Sequence, residues 1–492
     1  MTLRLIPTLL TTLLATQLSG CLVGPDYVKP KAVMSDNFKE LRNWKPAQPR
    51  DNIVAGKWWE IFKDAKLNEL ENQVAKANQS IIQAEAQYRQ AQHLVQSVQS
   101  SLFPTATLNG TFNRFLSASG QSVAVSGVRN LFGTAVGAAW QPDLWGSIRR
   151  QIESNTGNAQ ASAATLQALH LSIQATLAQD YFQLKVLDAQ KLLFAQSLEA
   201  YNKTLAITQN RYDAGVAALS DVKQAEAQLQ ALQAQEINLG IQRAKLEHAI
   251  AVLIGKPPSA LSLQPAPLDA QPPNIPVVLP SELLERRPDI AAAERKVAAA
   301  NAQIGVAKAA YYPSFNLAAN NGFQSNTIDT LFTMARRYWA LGPAGAALTI
   351  FDGGAKNAAY KQAIDNFDAS VAAYRQTVLT SFQEVEDNIA ALRILEEETQ
   401  VQAKAVAAAD QALTLTMNQY QAGTISYLNV LTANTNALNN RQTAVQLQGQ
   451  QLAAAVLLVK ALGGGWNLRM LPSKDEAGGE VQWTDYLILP MS

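Results

Sequence analysis

Hydrophobic residues recur at every third or fourth position in two proline-free stretches of the chain. In the first stretch, apolar or small residues fill positions a and d of a heptad frame, except at Glu236 and Arg243. The same frame continues 208 residues later, with exceptions at Asn440 and Gln451. The filled positions are Val222, Ala225, Leu229, Leu232, Leu239, Leu246, Ile250 and Leu253, then Val430, Ala433, Ala437, Ala444, Leu447, Ala454, Leu458 and Ala461. Such a repeat predicts helices that pack as coiled coils.

A longer helical segment precedes each of these stretches, at about 147–209 and about 355–418. At 1.5 Å per residue, each segment would reach roughly 90–100 Å. Alanine at the packed positions allows helices to approach closely, while glutamine and asparagine dominate the other positions. This composition suits the wall of a tube that has water on both sides.

The chain is an internal duplication. Six residues in each half are related by a spacing of 209, and the segments 211–216 and 419–424 match at a spacing of 208. The six pairs are Ile81, Ala84, Glu85, Ala91, Pro104 and Leu108 with Ile290, Ala293, Glu294, Ala300, Pro313 and Leu317. Residues 257–280 contain eight of the chain's 20 prolines and predict a linker between the halves.

Each half also contains a predicted pair of strands. A helical segment, about 64–101 or 289–310, ends just before Pro104 or Pro313. Two extended segments follow in each half, at about 105–115 and 130–140 and at about 314–325 and 338–350. Their alternation is imperfect, so it also fits a soluble β-hairpin domain. In a membrane, however, four strands would have two open edges, which lipid does not tolerate. They would have to share a barrel with copies of the chain, and a conducting barrel needs at least three copies.

The N-terminal residues predict export and lipidation. Residues 1–20 combine a basic residue, Arg4, with a short apolar run that is too short to span a membrane. Small residues then precede Cys21, the only cysteine. This pattern predicts cleavage before Cys21 and its acylation, and Leu22 favours sorting to the outer membrane. The alternative is an incidental cysteine after an ordinary signal peptide.

Charge and hydropathy exclude several classes of protein. The formal net charge of +1 argues against a nucleic-acid surface, and no uncharged apolar run after residue 20 approaches the length of a transmembrane helix. The three histidines, His93, His170 and His248, lie far apart and share no metal-ligand spacing. No phosphate loop, nucleophile elbow or zinc-protease motif is present. We therefore expect no enzyme activity, cofactor or metal.

Several segments, in this order, resemble the TolC-like outer-membrane factors, specifically the NodT- and OprM-type efflux lipoproteins. The resemblance covers nearly the whole chain, and the order of the segments makes it specific. The segments are Cys21 to Tyr27, Trp58-Trp59, Phe62 to Asp64, Asp143 to Gly146 with Arg149, Leu279 to Ile290, Ala293-Glu294, Tyr312 to Ser314, Phe351 to Gly354, Phe382 to Asp387 and Ala461 to Trp466.

This resemblance implies a mainly α-helical fold with a transmembrane β contribution. Three copies would complete a 12-strand barrel in the outer membrane, above a long coiled-coil helical tube and an equatorial domain. The homotrimer would join a periplasmic adaptor protein and an inner-membrane pump of the resistance-nodulation-division class. The implied function is passive conduction of drugs or other small molecules out of the cell.

The resemblance, with the repeats, also divides the chain into six parts. The predicted parts are the signal peptide (1–20), an N-terminal anchor and equatorial segment (21–63), the first repeat (64–256, tip turn 211–220), the linker (257–280), the second repeat (281–462, tip turn 419–428) and an equatorial tail (463–492).

Two sets of tip residues match functional positions of the family. The helical turns match adaptor-docking grooves, at Ala214, Gly215, Val216 and Ala217 and at Ala422, Gly423, Thr424 and Ile425. Glycine is also the residue that ends a helix in a left-handed conformation, which is compatible with docking. Tyr420 and Leu428 match positions that narrow the closed entrance.

The sequence departs from the family at the gate. Thr432 stands where an acidic gate residue is expected, and Thr435 where a basic one is expected. We therefore expect a closed state held by Leu428 packing and hydrogen bonds, with weak cation block and weak pH sensitivity.

Two further functions fit parts of the pattern. A type I protein-secretion duct shares the fold, although the lipidation signal and the segment 279–290 favour drug efflux. A non-channel coiled-coil lipoprotein, structural or adhesive, would lack the repeated strand pairs, and the constant spacing around Pro104 and Pro313 counts against it.

Overall fold

The structure is a computed structural model that describes residues 22–32, 38–40, 56–116, 128–273, 275 and 280–479. The predicted signal peptide, Cys21, the loop 117–127 and the end of the predicted tail lie outside the described residues. Within them, eight α-helices and five β-strands follow one another in two similar series.

The helices fall into short and very long classes. The short ones are α1 (Ala65–Ala77), α2 (Gln79–Gln99), α5 (Pro280–Arg286) and α6 (Pro288–Ala309). The long ones are α3 (Ser147–Asp213), α4 (Leu219–Leu253), α7 (Ala355–Gln421) and α8 (Tyr427–Ala461). Helices α3 and α7 have 67 residues each, or about 100 Å of length. The mainly helical fold that the sequence predicted is confirmed.

The two 67-residue helices, α3 and α7, begin in the same way. Gly146 and Gly354 precede them with φ of +78° and +89°, a conformation that suits glycine. Asp143 accepts hydrogen bonds from the backbone N–H groups of Ile148 and Arg149, and Asp352 does the same for Gly354 and Lys356. Each carboxylate thus satisfies N–H groups that have no partner within the helix. The two aspartate-glycine motifs are helix starts.

The strands form one antiparallel sheet in the order β1 (Thr105–Leu116), β2 (Val128–Trp140), β3 (Ser314–Ser325) and β4 (Arg337–Leu341). A short strand, β5 (Gly345–Ala347), pairs with the start of β3. The segment expected as one strand over about 338–350 is therefore two short strands, separated by Gly342 and Pro343. Because proline has no N–H group to donate, it interrupts the ladder there.

The register separates apolar from polar side chains. Leu108 pairs with Val136, Val136 with Asn321, and Asn321 with Trp339, so these residues share one face. Most large apolar side chains lie on this face, and the rings of Phe112 and Phe132 are 4.8 Å apart there. Its large apolar members are Leu108, Phe112, Leu116, Val128, Phe132, Val136, Trp140, Phe315, Leu317, Phe323, Trp339 and Leu341. The opposite face is rich in threonine and asparagine.

The first helical segment, expected as continuous over about 64–101, is interrupted at Asn78. Its side-chain oxygen accepts hydrogen bonds from the N–H groups of Ser80 and Ile81, so Asn78 starts α2. Its amide nitrogen donates to the carbonyl of Leu253 at the end of α4. Asparagine is a favoured N-cap residue, which explains the break.

The long helices lie side by side in the order α4, α3, α8 and α7. The heptad positions of α4 are buried or half-buried, as expected of a coiled coil. Polar interruptions of the frame have specific partners. Arg243 bonds to Asp188, Glu247 and the carbonyl of Leu263, and so holds the start of the proline-rich linker. Gln402 donates to Asn440, and Gln451 to the carbonyl of Leu395.

The largest hydrophobic core lies midway along the long helices. Trp58, Trp59 and Phe62 pack in it, with the Phe62 ring 5.0 Å from that of Phe182. A buried ion pair between Lys185 and Asp64, 2.8 Å long, anchors the start of α1 against α3. This core fixes α1 and the linker to the helical layer.

Candidate functional site

Helices α3 and α4 meet at a turn that ends far from the sheet. Gly215 has a φ of +76°, and the N–H of Val216 donates to the carbonyl of Arg211, 2.9 Å away. The N–H of Gly215 donates to the carbonyl of Tyr212 over 2.8 Å. These bonds form a Schellman motif, whose left-handed residue is favourable for glycine.

The turn between α7 and α8 repeats this geometry. Gly423 has a φ of +79°, and the N–H of Thr424 donates to the carbonyl of Gln419 over 3.0 Å. The hydroxyl of Thr424 donates to the same carbonyl. The eight residues expected to dock an adaptor, at 214–217 and 422–425, therefore form two equivalent exposed or half-exposed turns.

Arg211 connects the two turns. Its Nη1 donates to the carbonyl of Tyr420, 2.5 Å away, and its guanidinium lies 4.7 Å from the centre of the Tyr420 ring. A cation over an aromatic ring and a charged hydrogen-bond donor both stabilise this contact. The end of α3 is thereby tied to the end of α7.

The ring of Tyr420 lies inside the tip and is only 2% exposed. Its hydroxyl donates to Thr208 Oγ1 of α3 over 3.1 Å, and its ring meets that of Tyr427 edge-on at 6.0 Å. Burial raises the pKa of Tyr427 to about 12, so its hydroxyl stays neutral at physiological pH. Ala225 and Val430 complete this cluster, which we call the tip core.

The residues expected at the entrance constriction do not form one cluster in the single chain. Tyr420 is in the tip core, whereas Leu428 is 58% exposed and Thr432 is also exposed. The hydroxyls of Thr432 and Thr435 donate to the carbonyls of Leu428 and Leu431 in their own helix. Leu428 and Thr432, one helical turn apart, thus share an exposed side of α8.

Sequence analysis missed Arg211, Thr208 and Tyr427 as members of the site. Thr208 and Arg211 bond to Tyr420, about 210 residues away, and Tyr427 packs in a cluster with Ala225 of the other hairpin. Local sequence patterns do not reveal such contacts. One signal was available in the repeat, because Arg211 occupies the position of Gln419 in the second half. A charged residue at only one of two equivalent positions indicates an asymmetric contact.

The part of the chain that the structure describes has no group of three or more His, Cys, Asp or Glu side chains that could hold a metal ion. Among the described helices, none has the length and apolarity needed to cross a membrane.

Comparisons with known proteins identify what this architecture is similar to. A family model described as "Outer membrane efflux protein" matches residues 70–256 and 279–464, and so leaves the proline-rich stretch between the halves unmatched.

Individual relatives match over most of their length. "Probable efflux pump outer membrane protein TtgC" of Pseudomonas putida is 32% identical over 467 residues, 91% of this chain and 93% of the relative. The "Cation efflux system protein CusC" of Escherichia coli is 27% identical over 461 residues, 93% and 98% of the two chains. The solved structure of "the outer-membrane channel OprN" matches with a TM-score of 0.83 and 30% identity, covering 91% of this chain and 100% of that one.

Proposed function

This chain belongs to the outer membrane efflux protein family, and we propose that it forms the outer-membrane exit duct of a tripartite efflux system. In this role it conducts small toxic compounds passively from an inner-membrane pump and a periplasmic adaptor to the cell exterior. The observation that carries the proposal is a sheet with one apolar and one polar face, placed at the end of helices about 100 Å long.

The sheet supports assembly from several copies. Strands β1 and β4 are its two edges and have no further strand partner among the described residues. An unpaired edge is costly in lipid, and pairing β4 of one copy with β1 of the next removes it. Three copies give a closed barrel with the apolar face towards lipid and the polar face towards the lumen.

The helical layer has matching edges. Helix α7 exposes Ile394, Val401 and Leu415, which are spaced by multiples of seven residues, and α4 exposes Ile237 and Ile241. These stripes lie on helices at opposite sides of the α4–α3–α8–α7 layer. A heptad stripe without a partner in its own chain favours packing against a neighbouring copy. We infer that α4 of one copy packs against α7 of the next.

The N-terminal segment supports lipid anchoring at Cys21. Just after that residue, the N–H of Val23 donates to the carbonyl of Trp145, at the junction of β2 and α3. The buried Arg150 donates to the carbonyls of Val23 and Gly24 and to Asp26. An acyl chain on Cys21 would therefore start beside the inner end of the sheet, where a bilayer surface belongs.

The tip supports the roles proposed for its residues. The two exposed turns at 214–217 and 422–425 are equivalent, so three copies would offer six similar grooves to an adaptor protein. Leu428 and Thr432 would face the axis and narrow the entrance, with Thr435 behind them. Tyr420 would contribute from inside the tip core, by holding the two hairpins together.

Electron microscopy of the full-length protein in detergent tests the assembly. We expect a three-fold particle with a tube roughly 100 Å long below a detergent belt. A rod without the belt or the three-fold symmetry would contradict the exit duct and favour a non-channel coiled-coil lipoprotein.

Cysteine cross-linking tests the inferred order of helices. Ile241 of α4 and Val401 of α7 lie at similar distances along their helices from the two turns. We expect the double variant Ile241→Cys/Val401→Cys to form covalent dimers and trimers on mild oxidation. The single variants are controls and should give no ladder. Cross-linking within one chain only would contradict the inferred interface.

A further inference from the structure

The apolar face of the sheet carries two arginines near its outer end. Arg114 of β1 pairs with Asn130, and this register places it on the face of Leu108 and Phe112. Arg337 of β4 pairs with Phe323, on the face of Trp339 and Leu341. Arg337 Nε also bonds to Asn321 Oδ1 of the same face, 3.3 Å away. Both arginines are exposed in the chain.

The two arginines lie at similar distances from the inner ends of the edge strands. Arg114 comes nine residues after Thr105, where β1 begins, and Arg337 comes ten residues before Ala347, where β5 ends. At about 3.3 Å per residue and a tilt of about 40°, this distance is about 25 Å along the membrane normal. It equals the height of the apolar band of outer-membrane barrels. Both guanidinium groups therefore sit where that band meets the outer headgroups.

No protein carboxylate in the sheet balances these charges. The five strands contain Arg114, Arg129 and Arg337 but no aspartate or glutamate. Trp339 and Phe112 flank the arginines on the membrane side, so the face combines an apolar wall with a cationic rim. Such a surface is complementary to a lipid whose headgroup carries negative charge.

We propose that Arg114 and Arg337 bind the phosphate groups of a bis-phosphorylated outer-leaflet lipid of the lipid A class. The proposal rests on the proposed function, because it requires the sheet to span the outer membrane. Arg114 and Arg337 lie on the two edge strands, so closure brings Arg337 of one copy beside Arg114 of the next. Each subunit seam then presents two guanidinium groups to one lipid that carries two phosphates. Guanidinium groups bind phosphate through paired, charged hydrogen bonds.

The competing explanation is that arginine is merely tolerated at this depth. Charged side chains near the membrane interface destabilise barrel proteins only slightly. Tolerated arginines would show no preference for the number of phosphates on a lipid. A lipid series with matched variants separates these explanations.

Native mass spectrometry of the full-length protein provides the test. The probes are bis-phosphoryl lipid A, its monophosphoryl form and phosphatidylethanolamine. Arg114→Gln/Arg337→Gln is the test variant. Arg129→Gln is the matched control, because Arg129 is on β2 at the same end of the sheet, yet its register with Phe115 places it on the opposite face. We expect the test variant to bind bis-phosphoryl lipid A at least about tenfold more weakly than the wild type and the control variant.

The outcomes distinguish this inference from the function on which it rests. The proposal would be overturned if the test variant bound lipid A as tightly as the wild type does, or if the wild type retained all three lipids equally. The trimer mass in the same spectra would still support the assembly. If the wild-type protein gave no trimer, the proposed duct itself would fail. The wild type should bind the monophosphoryl form more weakly than the bis-phosphoryl form, and the test variant should not show this difference. That result would support two arginines acting on two phosphates.

Discussion

At the scale of single residues, Arg211 holds the tip together. It reaches from the end of α3 to the carbonyl and ring of Tyr420 at the end of α7, and Tyr420 returns a hydrogen bond to Thr208. These contacts add to the packing of the tip core, which also joins the two hairpins. Thr432 and Thr435 stand in place of charged gate residues. We therefore infer that the contacts between Arg211 and Tyr420 contribute much of the free energy that keeps the tip closed.

Arg211→Gln tests this role, because it installs the residue found at the equivalent position, Gln419. Loss of the charged hydrogen bond and the ring contact, about 1–2 kcal/mol, should raise the open fraction of the channel about tenfold. Single-channel recording in planar bilayers measures the open fraction. Lys203→Gln, at an exposed ion pair with Glu199 on α3, is the control. An unchanged open fraction would show that Arg211 is not part of the closure.

Glu71 is a second residue whose role depends on its surroundings. Its side chain is completely buried in α1, and neither carboxyl oxygen has a hydrogen-bond partner within the described parts of the chain. Burial raises the pKa of Glu71 from 4.5 to about 9. The folded protein therefore holds a proton on Glu71 at neutral pH, whereas the unfolded chain releases it.

This difference gives a signed pH dependence. The stability contributed by protonated Glu71 is complete below about pH 4.5 and falls as the pH rises towards about 9. We expect Glu71→Gln to raise the thermal midpoint by a few degrees at pH 8 but to have little effect at pH 4.5. Tryptophan fluorescence during heating measures the thermal midpoint at each pH. Glu69→Gln, which removes an exposed partner of Lys66, should leave the pH profile unchanged. Parallel profiles for wild type and Glu71→Gln would contradict the buried, protonated state.

At the scale of elements, small residues set how closely the long helices approach. A Cβ atom added to Gly449 of α8 would lie 2.4 Å from Cγ2 of Val186 in α3. The two helices are in contact there, so a larger side chain cannot fit without displacing one of them. Alanine at many heptad positions has the same effect along the tube wall.

We expect Gly449→Ala to destabilise the protein by about 1–3 kcal/mol, despite the higher helix propensity of alanine. The double variant Gly449→Ala/Val186→Ala should recover part of this loss, because it removes the side chain that the new methyl group meets. Chemical unfolding of all four proteins completes the cycle. Additive effects of the two substitutions would mean that the helices are not in contact at this point.

At the scale of the whole molecule, the gate composition determines how the assembled duct responds to ions. Three copies would place three Thr432 side chains around the axis, with no carboxylate among them. A ring of hydroxyl groups binds multivalent cations weakly, whereas a ring of carboxylates binds them strongly.

We therefore expect little block of the wild-type channel by trivalent cations, and strong block after Thr432→Asp. The test is to add the cation to the side of the helical tip and to measure the decrease in channel conductance. Thr443→Asp, at a half-buried position higher on α8, is the control for added charge alone. Strong block of the wild type would mean that other acidic residues line the entrance.

Much of the fold could be predicted from local patterns. The heptad positions from Val222 to Leu253 are buried or half-buried, and the strand starts at Thr105 and Ser314 follow the two prolines as expected. Two breaks were missed, one in a helix at Asn78 and one in a strand between Leu341 and Gly345, and each depends on one capping or proline residue. The lipid attachment at Cys21 stays a prediction.

The sequence by itself determined the duplication, the length of the helices and the glycine turns, because each depends on neighbours a few residues apart: a 3.5-residue period, a proline at a strand start or a left-handed residue at a helix end. Only the tertiary structure decided the rest. The face on which Arg114 lies required the strand register, the link from Arg211 to Tyr420 spans 209 residues, and the burial of Glu71 required a neighbouring helix. Contacts between residues distant in sequence leave no period in the chain, so they emerge only when the elements pack.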